Sequence, residues 1–143
     1  MTFSIRPLCL FVAVVAVTAA CATTRNAGTT RPSSDGKALF DKAVSGILET
    51  HCVECHGGES KEAGFDMTTR AGLLRGGDWG PGIVPGNSSR SSLMFLVRHE
   101  EEPHMPEDKP KLPDEDIARL AAWIDAGAPY TRPLNVKPQR QSP

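Results

Sequence analysis

The sequence predicts an all-α fold with long loops, and three observations carry that prediction. Two stretches place apolar residues on one helical face: Phe40, Ala43, Val44, Ile47 and Leu48 in the first, and Ile117, Leu120, Ala121 and Ile124 in the second. No stretch alternates apolar and polar residues as a half-buried strand does. Between the helical stretches glycine and proline are dense, above all from Gly76 to Gly86, where regular structure is not expected.

The 143 residues hold one domain at most, and the first twenty are expected to be removed from it. Met1 to Arg6 bring one basic side chain, Leu8 to Val17 form an almost unbroken apolar run, and Thr18, Ala19 and Ala20 lead into Cys21. A bilayer span needs about 20 apolar residues, so this shorter run fits a secretory signal peptide over 1–20. Small residues running into a cysteine resemble a bacterial lipoprotein cleavage box, which makes Cys21 the acylated first residue of the mature chain. Cleavage after Ala20-Cys21-Ala22 by an ordinary signal peptidase is the competing reading. Several acyl chains anchor firmly, each buried CH₂ contributing about 0.8 kcal/mol. The expected location is the periplasmic side of a bacterial membrane, with lipid as the attachment.

Residues 21–34 are polar, turn-rich and without apolar period, a flexible tether with a reach of roughly 20 Å. The domain proper is expected over 35–129. Its first helix is capped by Ser34 or Asp35, runs from about Gly36 to Thr50, and delivers the chain into Cys52. Gly57 and Gly58 end any helix beyond the cysteines. Thr69 to Arg75 suit a short helix stopped by Gly76-Gly77. The following glycine-rich loop is no phosphate cradle, because no lysine followed by Ser or Thr closes it and its prolines lack N–H donors. Asn87 is expected to cap a helix reaching about His99, and the charged, proline-broken stretch to Pro113 is a loop. Asp114 to Ala126 is the clearest helix, with Asp114, Glu115 and Asp116 at its amino end and Gly127 as its stop. Residues 130–143, proline-rich and without period, are read as a disordered tail.

Charge narrows the function classes. Without Arg6 the 16 basic residues fall one short, against 17 acidic ones, for a net charge of −2 and no Lys/Arg cluster. Nucleic acid is not an expected partner.

Cysteine usage then points to the chemistry. Cys9 leaves with the signal peptide and Cys21 carries lipid, so only Cys52 and Cys55 remain. Cys52-Val53-Glu54-Cys55-His56 is C-x-x-C-H, the attachment pattern of haem c. Thiols three residues apart sit on one turn, where each can add to a vinyl group on the same porphyrin edge. The adjacent imidazole is then placed to ligate the iron. A thioredoxin-like pair would need a βαβ context that is absent here. A zinc site could recruit His99 and His104, but their distance from Cys55 far exceeds a finger spacer, and exported chains seldom keep thiolates reduced.

The rest of the chain strengthens the haem reading. Ile47-Leu48, Cys52 to Gly57, Gly76-Gly77, Ile83-Val84-Pro85-Gly86, Ser92-Leu93, Met105-Pro106 and Trp123 to Pro129 occur in one order. That series resembles the planctomycete-type cytochrome c domain, over about 39–129. Glu107 and Pro113 depart from it, Pro113 standing where the family has a serine helix cap. The resemblance implies a small class I-like cytochrome c fold, with N- and C-terminal helices packed around one covalently bound haem and its iron. It also places the distal ligand at Met105, which lies in a proline-stiffened loop; a thioether there is soft and raises the potential. His99 and His104 compete for that role, whereas Met67 and Met94 read as packing residues and His51 as solvent-facing.

Outside the ligands the expectations are modest. The Ile83-Val84-Pro85-Gly86 turn is a candidate acceptor for the free N–H of His56. Trp123 should pack on haem or the first helix, and Trp79 reads as a lid on a small cavity. Glu100, Glu101 and Glu102 form a solvated face that could steer a basic partner. The functional expectation is an electron carrier rather than an enzyme, exchanging electrons with redox partner proteins. A haem sensor or a peroxidase-like enzyme with a labile or absent sixth ligand is the alternative.

Overall fold

A computed structural model describes residues 33–136. The signal peptide over 1–20, Cys21, nearly all of the tether and the last seven residues lie outside the described residues.

The first helical stretch is one continuous rod in three parts: α1 (Ser34–Leu39), a π turn (Phe40–Val44) and α2 (Ser45–His51). Its cap is Ser33, one residue before the two expected candidates; the Ser33 hydroxyl accepts the Gly36 N–H at 3.0 Å. The π turn adds a residue to the local repeat, so Val44 and Ser45 are buried side by side with Phe40, Ile47 and Leu48. A regular 3.6 period does not place Ser45 inside, which is why the sequence pattern missed it.

After α2 the chain turns through the cysteines and forms a minimal antiparallel hairpin, β1 (His56–Gly57) with β2 (Ser60–Lys61). The all-α expectation is corrected to mainly helical with a two-stranded pair. Two residues per strand are too few to show alternation in a sequence. Helix α3 (Arg70–Arg75) follows, capped by the Thr69 hydroxyl on the Gly72 N–H. The helix expected from Asn87 to His99 is divided. A 3-10 turn (Ser88–Arg90) and α4 (Ser92–Val97) flank Ser91, which is extended and fully buried. The Ser91 hydroxyl accepts the Val84 N–H and donates to the Asn87 carbonyl, binding the preceding loop at the cost of helix continuity. Helix α5 (Asp114–Asp125) follows Pro113, which caps it without a side-chain hydrogen bond.

The core is a frame of two crossed helical segments. Gly36 on α1 meets Ala126 after α5 so closely that a side chain at 36 would sit 2.7 Å from the Ala126 Cβ. Phe40, Trp123 and Tyr130 cluster beside this contact, Phe40 stacked on Trp123 with centroids 6.2 Å apart and tilted against Tyr130 at 4.6 Å. The Trp123 indole N–H donates to the Pro129 carbonyl at 2.9 Å. Trp123 therefore packs on the first helix, the second of the two placements the sequence allowed.

The segment read as a disordered tail is, in its first part, a strap fixed to the domain. Tyr130 donates its hydroxyl to the Met67 carbonyl at 2.9 Å, the Leu134 N–H donates to the Thr68 carbonyl at 2.8 Å, and Leu134 is buried. Arg132 and the Asn135 N–H both reach the Glu49 carboxylate on α2. Proline content and lack of period hid this, because isolated anchors rather than a face hold the strap.

Candidate haem site

The site begins where α2 runs out. The Cys52 and Val53 N–H groups both donate to the Leu48 carbonyl, and the His56 N–H donates to the Cys52 carbonyl at 2.9 Å. One further turn therefore carries Cys52, Cys55 and His56, with Val53 buried beneath as its apolar peg. The hairpin fixes the far side: the Glu62 N–H donates to the Cys55 carbonyl and the Met67 N–H to the His56 carbonyl. Gly57 is required there, since a Cβ would meet Thr68 at 2.8 Å and the Val53 carbonyl oxygen at 2.9 Å.

Cys52, His56 and Met105 line one cleft, which encloses about 1110 Å³ of empty space counting the part open to solvent. Its walls are largely apolar, with Phe65, Met67, Leu93, Leu96 and Leu112 among them. Cys55 is half-buried and lies just off this lining. The two thiols are not joined in a disulfide. Burial pushes the Cys52 thiol up to about 12, neighbouring Cys55 adds to this, and Lys109 pulls the other way. Burial also raises Cys55, reinforced by Glu62 and Glu54. Reactive dithiols and metal thiolates need the opposite shift.

The imidazole of His56 is held by its Nδ1, 3.3 Å from the Glu62 carbonyl oxygen, and by the Phe65 ring, 5.4 Å away between centroids. With a carbonyl as its neighbour, Nδ1 carries the proton and Nε2 is left as the lone-pair donor. Glu62, not the Ile83–Gly86 turn, supplies this acceptor. That turn serves α5 instead, its Gly86 N–H donating to the Ile124 carbonyl. No sequence signal marks a backbone carbonyl, though Phe65, an aromatic shortly past the motif, was available as a hint.

Met105 is positioned from both sides. Its N–H donates to the Leu96 carbonyl at 3.1 Å, and its carbonyl lies 3.2 Å from His99 Nε2. The peptide bonds before Pro103 and Pro106 are cis. His99 and His104 stack in parallel, 4.4 Å apart, and neither lines the cleft. Among the described residues no three His, Cys, Asp or Glu side chains converge as a metal group, so these histidines do not join the cysteines as a zinc site would require. His51, expected to face solvent, lines the cleft, as does the fully buried Met67. Trp79 is 79% exposed and stands at the cleft's edge rather than closing it as a lid.

The donor set suits haem c: two thiols on one turn, an oriented imidazole, and a thioether on the same apolar cleft as Cys52 and the imidazole. Residues 52–108 match the family model described as planctomycete cytochrome C. The matched segment spans the motif, most of the cleft lining and Met105, and leaves the flanking helices α1, α2 and α5 outside. Comparison with curated proteins finds no match, and comparison with solved structures finds none.

Proposed function

We propose, from the match of residues 52–108 to the planctomycete cytochrome C model, that the chain is a monohaem electron carrier with Cys52 and Cys55 as thioether attachment points and His56 and Met105 as iron ligands. The observation that carries this reading is the shared cleft: His56, with Nδ1 on a carbonyl and Nε2 left as donor, lines the same apolar space as Met105. When bound, haem c supplies a reversible one-electron iron couple. The chain's own residues hold and tune it. The Glu62 carbonyl strengthens His56 as a donor, and the apolar walls, with a thioether ligand, would favour the less charged ferrous form and raise the potential. With His56 and Met105 both ligating, the iron would keep no open position for a substrate, which supports transfer rather than catalysis.

Export and anchoring belong to the same reading. The apolar run before Cys21 supports a lipoprotein signal, and a lipidated Cys21 would keep the carrier at a periplasmic membrane face, where redox partner proteins meet it.

The test is expression of the full chain beside a c-type maturation and export system. The expected result is pigment that stays with the polypeptide on a denaturing gel, and that is lost in Cys52→Ala/Cys55→Ala. The ferric protein should show the weak far-red band of methionine-ligated haem, abolished in Met105→Ala. A band that survives this change would overturn the axial assignment, and rapid carbon monoxide binding by the native ferrous protein would favour a sensor or peroxidase-like role.

A further inference from the structure

We propose that the mouth of the cleft is a docking surface for a redox protein with a basic contact face around an apolar centre, and that Trp79 is the anchor of that contact. The proposal rests on the electron-carrier reading and adds the chemistry of the partner.

Trp79 and Val84 are the large apolar side chains that stand exposed among the described residues, and Trp79 is by far the more open, at 79% against 39%. A tryptophan in water forgoes a large burial gain, as aromatic side chains bury about 150–250 Å² each. Its presentation is built rather than loose. Gly77 and Gly80 pair across it, the Gly77 N–H donating to the Gly80 carbonyl at 3.2 Å and the Gly80 N–H to the Gly77 carbonyl at 3.0 Å. The Asp78 N–H donates to the Ala63 carbonyl at 2.8 Å, tying this turn to the loop after the hairpin. An indole on a fixed turn loses little freedom when covered, which is how aromatic anchors act at interfaces.

Charge selects the partner. Asp78, Glu101 and Glu102 line the same cleft as Trp79, Glu100 follows α4 close by in the chain, and no lysine or arginine is among the lining residues. An aromatic centre within a rim of one charge sign is a recurring interface anatomy. A negative rim raises the encounter rate of a positive face and disfavours an acidic one. The rim borders the cleft that holds His56 and Met105, so a protein seated there lies against the redox centre, where short transfer distances are needed.

The experiment titrates the full-chain holoprotein by calorimetry at low ionic strength with two probes: a lysine-rich c-type cytochrome and an acidic 2Fe–2S ferredoxin. The cytochrome should bind at least about tenfold more tightly than the ferredoxin, with affinity falling as salt is added. Trp79→Ala should weaken it by roughly tenfold or more, and Trp79→Phe should recover most of the loss. Glu101→Lys combined with Glu102→Lys should reverse the order of the probes, an outcome that misfolding does not produce. Equal affinities for the probes, a loss under about twofold in Trp79→Ala, or an unchanged order in the lysine variant would overturn the proposal. A polypeptide without pigment would overturn the carrier reading on which the proposal rests, whereas equal affinities measured on pigmented protein would overturn the docking proposal alone.

Discussion

The crossed helices and the cleft are built by different physics. In the frame, Phe40, Leu48, Leu120, Trp123 and Ile124 are fully buried, and the apolar effect does the holding. Around the cleft, single backbone hydrogen bonds do more of it, and three of the four left-handed residues that are not glycine, Ala63, His99 and Asp108, lie on that side, with Ala128 beside the frame. Such residues cost about 1–2 kcal/mol each, and they persist only where neighbouring contacts over-determine them. The frame is therefore a support whose sequence is constrained by packing. The cleft is a strained assembly constrained by what it must present, and a bound prosthetic group would be its largest apolar contact.

This contrast can be broken first at Trp123. Trp123→Ala removes a fully buried indole and its bond to the Pro129 carbonyl, and should destabilise the holoprotein by about 3–5 kcal/mol in denaturant titrations. Next is Gly36→Val, which forces the crossing at Ala126 apart and should destabilise by about 1–3 kcal/mol. A matched pair sharpens the comparison further. Ala122→Gly on the exposed face of α5 should destabilise by about 1 kcal/mol. Ala63→Gly, with φ of 52°, should stabilise by roughly 0.5 kcal/mol, as relief of the left-handed strain outweighs the freedom glycine adds to the unfolded chain. If both changes shift the denaturation midpoint in the same direction, the distinction between regions fails.

The smallest effect is the pH dependence of the strap and the hairpin. The Arg132 guanidinium holds the Glu49 carboxyl below its ordinary value; burial opposes this, and Asn135 assists. Burial acts to raise Asp66, but bonds from the Thr68 hydroxyl and N–H, with Lys61, outweigh it and lower the group. Lowered carboxylates contribute stability that is full above the ordinary carboxylate range and is lost as pH falls through the lowered values. Thermal melts should therefore weaken below that range, and Glu49→Gln with Asp66→Asn should flatten the decline.

Legibility in the sequence follows the same division. Helix α5 and the first helical rod declare themselves because one face of each meets a core, and a repeated face leaves a periodic trace. The C-x-x-C-H motif is legible for a different reason, since the covalent chemistry proposed for it would fix its spacing. Ser91 looked like a residue inside a helix, because its choice of the Val84 N–H over helix continuity depends on a loop that folds beside it. The Glu62 carbonyl under His56 is backbone, common to every residue type and so without a signature. Tyr130 and Leu134 hold the strap as single points, too few to form a pattern.

The strap also sets an order of events. It joins the Met67 and Thr68 carbonyls and packs Val136 against Gly58, so it fastens the segment that follows the motif. Ribosomes build from the amino end, so Cys52 and Cys55 exist before the residues that fasten their neighbourhood do. Chain order therefore leaves the neighbourhood of Cys52 and Cys55 without these fastenings until Tyr130 and Leu134 have been made.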